Sequence, residues 1–164
     1  MGKPGQRADR KMSDTAVVPA KLTELLDAFD GITDTEERMS MLSSYAGKYR
    51  EVPPSVASRP YPEEARVPFC ESEAFVWALP GPGGTLTLHF AVDNPSGISA
   101  KALAAILQKT LSGARAEEIA AVDPDIVTRL FRQNISMGKG MGLMGIVQRV
   151  QDLARATLRG KSTP

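Results

Sequence analysis

The sequence predicts an α+β domain in which helices pack on one face of a small antiparallel sheet centred on a single hairpin. Two observations support this class. A run of alternating apolar and polar residues at 85–92 follows a turn rich in proline and glycine at 80–84, which is typical of a hairpin. The segments on either side of the hairpin carry apolar residues at the spacing of amphipathic helices.

Two helices are expected before the hairpin. The first has apolar residues at positions 22, 25, 26 and 29, and it ends at Gly31. Thr33 and Glu36 have the spacing of a capping box, which predicts the start of a second helix that ends near Gly47. Residues 1–19 are rich in polar residues and glycine, so we expect a flexible tail there.

The hairpin is reached through a connection with five prolines between positions 52 and 68. Proline fixes φ and restricts the residue before it, so this connection is expected to be extended and stiff. A first strand is predicted at 74–79. In the second strand the apolar residues at 86, 88, 90 and 92 are expected to face the core, and His89 is expected on the opposite face.

The C-terminal half is predicted to be helical. A long helix is expected from Ser99 to Ser112, followed by short helices at 117–121 and 124–131. The last helix is predicted to start near Met141, because the glycines at 138 and 140 favour a mobile loop before it. With a flexible end at 160–164 as well, residues 20–159 are expected to form one domain.

Length and composition exclude several classes of protein. A chain of 164 residues is long enough to bury a core and corresponds to one domain. Twenty Lys and Arg oppose nineteen Asp and Glu, and the formal charge of +1 predicts no strong attraction to nucleic acid or to an anionic membrane. No apolar run approaches the length of a membrane span. A single cysteine and no secretory signal predict a cytoplasmic protein.

Cys70 is the only cysteine, so it cannot close an internal disulfide or build a cysteine metal cage. Together with the single histidine it cannot complete a tetrahedral metal site, and we expect no bound metal or cofactor. The thiol is then either a buried filler or a reactive group. Its position between a proline-rich loop and a strand favours an accessible thiol, although the negative charges of Glu71 and Glu73 disfavour the thiolate.

Two other patterns resemble functional sites. Residues 140–145 match the G-x-G-x-x-G dinucleotide fingerprint, but the fingerprint requires a preceding strand and a βαβ unit, and close helix packing is the favoured interpretation. His89 could act as the base of a Cys–His pair with Cys70. A solvated histidine on the outer face of the hairpin is favoured, because no orienting Asn or Asp can be assigned from spacing.

Three blocks of the chain resemble the SufE family, the sulfur-acceptor proteins that serve cysteine desulfurases in iron–sulfur cluster assembly. Residues 67–75 are similar to the family's cysteine loop, with the small hydroxyl residue Ser72 after the cysteine and an aromatic residue further on. Residues 94–103 are similar to the start of the family's long helix. The third block comprises residues 112–119 and 141–144, and the resemblance covers about Leu22 to Leu158.

The chain departs from the family pattern at three positions. Phe69 stands where glycine or a polar residue is common in the family. Glu71 replaces a frequent glutamine. Lys139 stands where an arginine is often found near the cysteine loop, and the two side chains are not equivalent as donors.

The resemblance implies a SufE/IscU-like fold and a role in sulfur transfer. Cys70 would take persulfide sulfur from a cysteine desulfurase that uses pyridoxal phosphate, stimulate that enzyme, and relay the sulfur to iron–sulfur scaffold proteins. The chain would act as a sulfurtransferase-like carrier with the desulfurase rather than as a stand-alone enzyme, and the pyridoxal phosphate would belong to the partner. Phe69, Glu71, Ser72 and Lys139 would shape the environment of the thiol or contact the partner.

Two alternatives remain open from the sequence. The chain could be a non-catalytic activator, which binds a desulfurase and alters its active site without accepting sulfur. It could also be a small cysteine hydrolase that uses Cys70 and His89. Replacing Cys70 separates sulfur transfer from simple activation, and replacing His89 tests the hydrolase.

Overall fold

The computed structural model describes residues 17–161, and within that range the order is helices, hairpin, helices. The elements are α1 (Ala20–Asp30), α2 (Thr35–Gly47), β1 (Ala74–Pro80), β2 (Leu86–Val92), α3 (Ile98–Leu111), α4 (Ala116–Ala120), α5 (Ile126–Phe131) and α6 (Met137–Lys161). The predicted α+β class is confirmed. The predicted tails fall mainly on residues 1–16 and 162–164, which lie outside the described residues.

Helices cover one face of the hairpin, as the sequence predicts. β1 and β2 pair antiparallel, with Ala74 opposite Val92 and Pro80 opposite Leu86. Side chains alternate across a strand, so the even-numbered residues of both strands share one face. This face joins the main core, to which the strands contribute Ala74, Val76, Leu86, Leu88, Phe90 and Val92, and which continues into α3 and α6.

The opposite face of the sheet is covered by the proline-rich connection, which contains one 3-10 turn at Glu63–Ala65, rather than by an α-helix. Val52 and Ala65 of this connection pack on Phe75 and Ala91 in a second, smaller core. The ring of Tyr61 lies 5.1 Å from that of Phe75, centroid to centroid. Prolines reduce the conformational freedom of the unfolded chain, which helps an irregular segment to hold this position.

Six backbone groups along the outer edge of β2 are bonded to loops and side chains. Leu86, Leu88, Phe90 and Val92 direct these groups away from β1. Their hydrogen bonds are 2.7 to 3.0 Å long and join Leu86 N–H to the Ala114 carbonyl, Gly113 N–H to the Leu86 carbonyl, Leu88 N–H to Ser112 Oγ, Gln108 Nε2 to the Leu88 carbonyl, Val52 N–H to the Phe90 carbonyl, and Val92 N–H to Tyr49 Oη.

Arg38 ties the ends of two helices to α2. Its side chain is 2% exposed, and its guanidinium donates to the carbonyls of Phe29 and Ile32 at 2.6 and 2.8 Å. It also donates to the carbonyls of Arg129 and Leu130 at 3.0 and 2.8 Å. The last carbonyls of a helix have no partner within the helix, so one buried cation serves the C-terminal regions of both α1 and α5.

Two local predictions are wrong. Thr33 does not cap α2, because the helix starts after Asp34 and no side chain caps it. The last helix starts at Met137, so residues 137–140 are helical rather than a mobile loop. The Lys139 N–H donates to Ser136 Oγ at 3.2 Å, and the Gly140 N–H donates to the Ser136 carbonyl at 2.9 Å. Ser136 therefore acts as an N-cap, which outweighs the low helix propensity of the glycines.

Replacing Arg38 with Met should destabilise the protein by about 3–5 kcal/mol, because buried helix-end carbonyls lose charged donors. Arg38→Lys should recover little of this loss, since an ammonium cannot reach both helix ends at once. Urea denaturation measures the free energy of unfolding. The same Met substitution at the exposed Arg50 is the control and should change stability by less than about 0.5 kcal/mol; equal effects at the two positions would contradict the role of Arg38.

Candidate functional site

Cys70 lies in a short loop that is closed by backbone hydrogen bonds at the start of β1. The Val67 N–H donates to the Ala74 carbonyl at 2.8 Å and closes the base of this loop. Inside the base, the Glu73 N–H donates to the Cys70 carbonyl at 3.0 Å. Residues 67–74, called here the cysteine loop, therefore have a defined backbone conformation.

The segment after β2 holds one side of the cysteine loop. The Asp93 N–H donates to the Glu73 carbonyl at 3.1 Å. The Asn94 N–H donates to the Ser72 carbonyl at 3.2 Å, and the Asn94 side-chain amide donates to the Glu71 carbonyl at 3.3 Å. Three successive carbonyls of the loop are thus bound to two residues, which fixes the loop relative to the sheet.

Gly97 permits this close approach. A Cβ at position 97 would lie 2.9 Å from Cγ1 of Val92, 3.1 Å from the Asn94 carbonyl oxygen and 3.2 Å from Cβ of Ser72. Ser72 itself is 7% exposed. The small residue two positions after the cysteine therefore serves packing, because a larger side chain at position 72 would push the two segments apart.

The other side of the cysteine loop rests on glycines of α6. A Cβ at Gly142 would lie 3.6 Å from the Cα and 3.9 Å from the Sγ of Cys70. One turn later, a Cβ at Gly145 would lie 3.4 Å from Cγ1 of Val67. The glycines of the apparent dinucleotide fingerprint thus let helix and loop pack closely, as expected, and the preceding segment is not the strand that a nucleotide site requires.

The thiol and its neighbour differ in exposure. Cys70 is half-buried and packs against the main core, so the loop does not present it as an open tip. Phe69 is 99% exposed, and its φ is 59°. Glu73 also has a positive φ, of 53°. Left-handed backbone at residues other than glycine costs about 1–3 kcal/mol each and clusters at functional sites.

The remaining predicted site residues lie on two elements, the cysteine loop and α6. Glu71 is exposed on the cysteine loop. Lys139 is exposed in the first turn of α6, one helical turn before Gly142, the residue that touches Cys70. The structure therefore places Lys139 on the helix that supports the loop. Sequence reasoning did not identify Asn94, Gly97 and Gly142 as loop supports, although two of the resembling blocks contain them.

His89 does not join this site. It pairs with Trp77 across the hairpin and lies on the face opposite the core against which Cys70 packs. Partial burial lowers the pKa of His89 below its ordinary value. Because the sheet separates the two side chains, the geometry gives no support to a Cys–His pair. Within residues 17–161, no three side chains of His, Cys, Asp or Glu converge as metal ligands would.

Comparison with known proteins identifies the family. The model of the SufE family, described as an Fe-S metabolism associated domain, matches residues 23–154. The chain belongs to the SufE family. A solution structure of a hypothetical protein from Thermus thermophilus has the same fold, with a TM-score of 0.69 and 28% identity over 87% of this chain and 99% of that one. The comparison with curated proteins gave no match.

Membership of the SufE family connects the chain with iron–sulfur metabolism. The matched region contains the cysteine loop and both segments that hold it. In the described part of the chain, no helix is long and apolar enough to cross a bilayer. The matched region also contains the exposed Phe69, with its left-handed backbone, and Lys139.

Substitutions at Gly142 should show how large a side chain fits between α6 and the cysteine loop. Gly142→Ala adds a Cβ at ordinary contact distance from Cys70 and improves helix propensity, so stability should rise by up to about 1 kcal/mol with the thiol in place. Gly142→Leu adds atoms where the cysteine loop packs and should force the loop outward. The rate of Cys70 alkylation by iodoacetamide, measured beside the melting temperature, should rise for Leu and stay near wild type for Ala. Equal alkylation rates in both variants would contradict this packing.

Proposed function

We propose that this protein accepts sulfur on Cys70 from a cysteine desulfurase and passes it on to iron–sulfur cluster assembly. The observation that supports the proposal best is that the only thiol of a SufE-family chain lies in a loop held on two sides by the sheet and by α6. Sulfur transfer between proteins is thiol exchange, which requires one thiol with a defined position. A chain without a second cysteine cannot convert a persulfide into an internal disulfide.

The reaction is balanced without an added oxidant or reductant. The thiolate of Cys70 attacks the outer sulfur of the donor's persulfide, and a new S–S bond forms on Cys70. The donor's own S–S bond breaks, and its cysteine leaves as a thiolate. Cys70 then carries a persulfide, and the next acceptor takes the outer sulfur by the same exchange.

The cofactor, the partners and the compartment proposed for this reaction follow from its chemistry. Pyridoxal phosphate belongs to the desulfurase, and this chain needs no bound cofactor for thiol exchange. The partners are the desulfurase and an iron–sulfur scaffold protein, which would receive the sulfur. A free reactive thiol persists best in a reducing compartment, which supports a cytoplasmic location. The protein acts as a carrier with its desulfurase rather than as a stand-alone enzyme.

The decisive test is sulfur loading of Cys70. After incubation with a desulfurase and L-cysteine, the intact mass of the protein should increase by one or more sulfur atoms, and a thiol reductant should reverse the increase. Cys70→Ser should show no increase, because a hydroxyl cannot form a persulfide. Its melting temperature and desulfurase binding provide the controls for folding. Full stimulation of the desulfurase by Cys70→Ser would favour a non-catalytic activator.

Lys139 provides a second test of the thiol's environment. A cation in the first turn of a helix opposes the helix dipole, so its position is not explained by stability. We expect its positive charge to assist the attack of Cys70, which is an anionic nucleophile, and to offset the negative charges of Glu71 and Glu73 on the same loop. Lys139→Ala should slow sulfur acceptance, and Lys139→Glu should slow it further by adding a third like charge.

The measurement is the rate of sulfur acceptance beside the melting temperature of each variant. Lys109→Ala and Lys109→Glu, at an exposed lysine on α3, are matched controls that should leave the rate unchanged. Wild-type rates for both Lys139 variants would remove this lysine from the mechanism.

A further inference from the structure

We propose that Phe69, together with Met137 and Met141 of α6, forms the apolar surface on which the sulfur-donor protein docks beside Cys70. This inference rests on the proposed function, since it names the surface that the donor must use. It goes further in naming the residue that anchors the donor.

Phe69 is exposed at a cost that nothing within the described chain offsets. Among the large apolar residues of 17–161 it is the most exposed, at 99%, and it directly precedes Cys70. Its φ of 59° is unfavourable for a bulky side chain. Strained backbone and an aromatic ring in water are both retained where a binding partner compensates for them.

Two methionines extend this surface along α6. Met137 is 83% exposed and Met141 is 67% exposed, and their spacing of four places them on one face of the helix. Met141 is adjacent to Gly142, against which the Phe69 carbonyl and Cys70 lie. Both methionines line a groove of about 450 Å³, which Ile135 and Met144 also line. Methionine side chains are flexible and adapt well to a partner's surface.

The surface is also poor in charge. Between Arg132 and Arg149, Lys139 is the only ionisable residue. Protein interfaces differ from other surfaces by few charges at their centre and by an excess of aromatic residues and methionine. Arg132 also lines the groove, so the composition fits a docking surface with an apolar centre and cations at its edge, rather than a solvated helix face.

The position of the thiol indicates which protein binds this apolar surface. Cys70 must come within bonding distance of the donor's sulfur, so the donor has to cover the residues next to Cys70. Phe69 is one of these residues, and α6 brings Met141 beside them. A second copy of this chain on the same surface would instead block access to the thiol. The donor is thus expected to present an apolar pocket to Phe69.

The test measures the Kd for the organism's own cysteine desulfurase, by calorimetry, in a Cys70→Ser background that prevents sulfur transfer. Phe69→Gly should weaken binding by about thirtyfold, the loss expected for an aromatic anchor. Its melting temperature should not fall, because glycine adopts a positive φ without strain. Met141→Gln should cause a smaller loss. Leu79→Ala, at an exposed apolar residue near the far end of β1, is the control and should bind as wild type.

A separate arm distinguishes failure of this inference from failure of the proposed function. With Cys70 present, Phe69→Gly should still be loaded by glutathione persulfide at the wild-type rate, because a small donor needs no docking surface. Suppose that the desulfurase transfers sulfur to the wild type and that Phe69→Gly binds the desulfurase with the wild-type Kd. The inference is then overturned and the proposed function stands. If the wild type binds the desulfurase but gains no sulfur, the function fails while the Kd comparison still decides the surface. The inference is also overturned if the wild type does not bind the desulfurase. It is overturned as well if sedimentation shows a dimer of the wild type that Phe69→Gly dissociates while the affinity for the desulfurase is unchanged.

Discussion

Close packing of the cysteine loop against backbone without side chains is the constraint on which the site depends. Gly97 lets the segment after β2 reach Ser72, and Gly142 lets α6 reach Cys70. The hydrogen bonds from Asp93 and Asn94 then become short enough to fix the loop. An added carbon at Gly97 would overlap its neighbours, and one at Gly142 would already reach contact distance from Cys70, so the position of the thiol depends on small residues at both places.

The same packing separates two roles within one loop. Ser72 and the half-buried Cys70 belong to the packed part, which sets where the sulfur lies. Phe69 belongs to the exposed part, and nothing in the described chain stabilises its ring. A carrier benefits from both properties, because a fixed sulfur reduces the entropy lost on reaction, while an adjacent anchor brings a large partner into register.

The hairpin and its two faces are predictable from alternation at residues 85–92, since a period of two directs side chains to opposite faces. Other features are not visible in the sequence. Arg38 looks like an ordinary surface residue of an amphipathic helix, and only the tertiary structure brings two helix ends to it. Ser136 is a residue type that caps helices, but the glycines after it favour a loop, and only the hydrogen bonds to Ser136 show that the cap outweighs their low propensity. The left-handed φ and full exposure of Phe69 likewise depend on the loop's surroundings.

The bonded outer edge of β2 limits how other chains can associate with this protein. A strand at the edge of a sheet normally offers free N–H and C=O groups to any extended segment, including another copy of itself. Along β2 six of these groups are already bonded to surrounding loops and side chains, from Tyr49 to Ala114. Strand addition along this edge is therefore disfavoured, and so is the cross-β stacking that leads to fibrils. Recognition through this part of the molecule has to proceed by side-chain shape and charge.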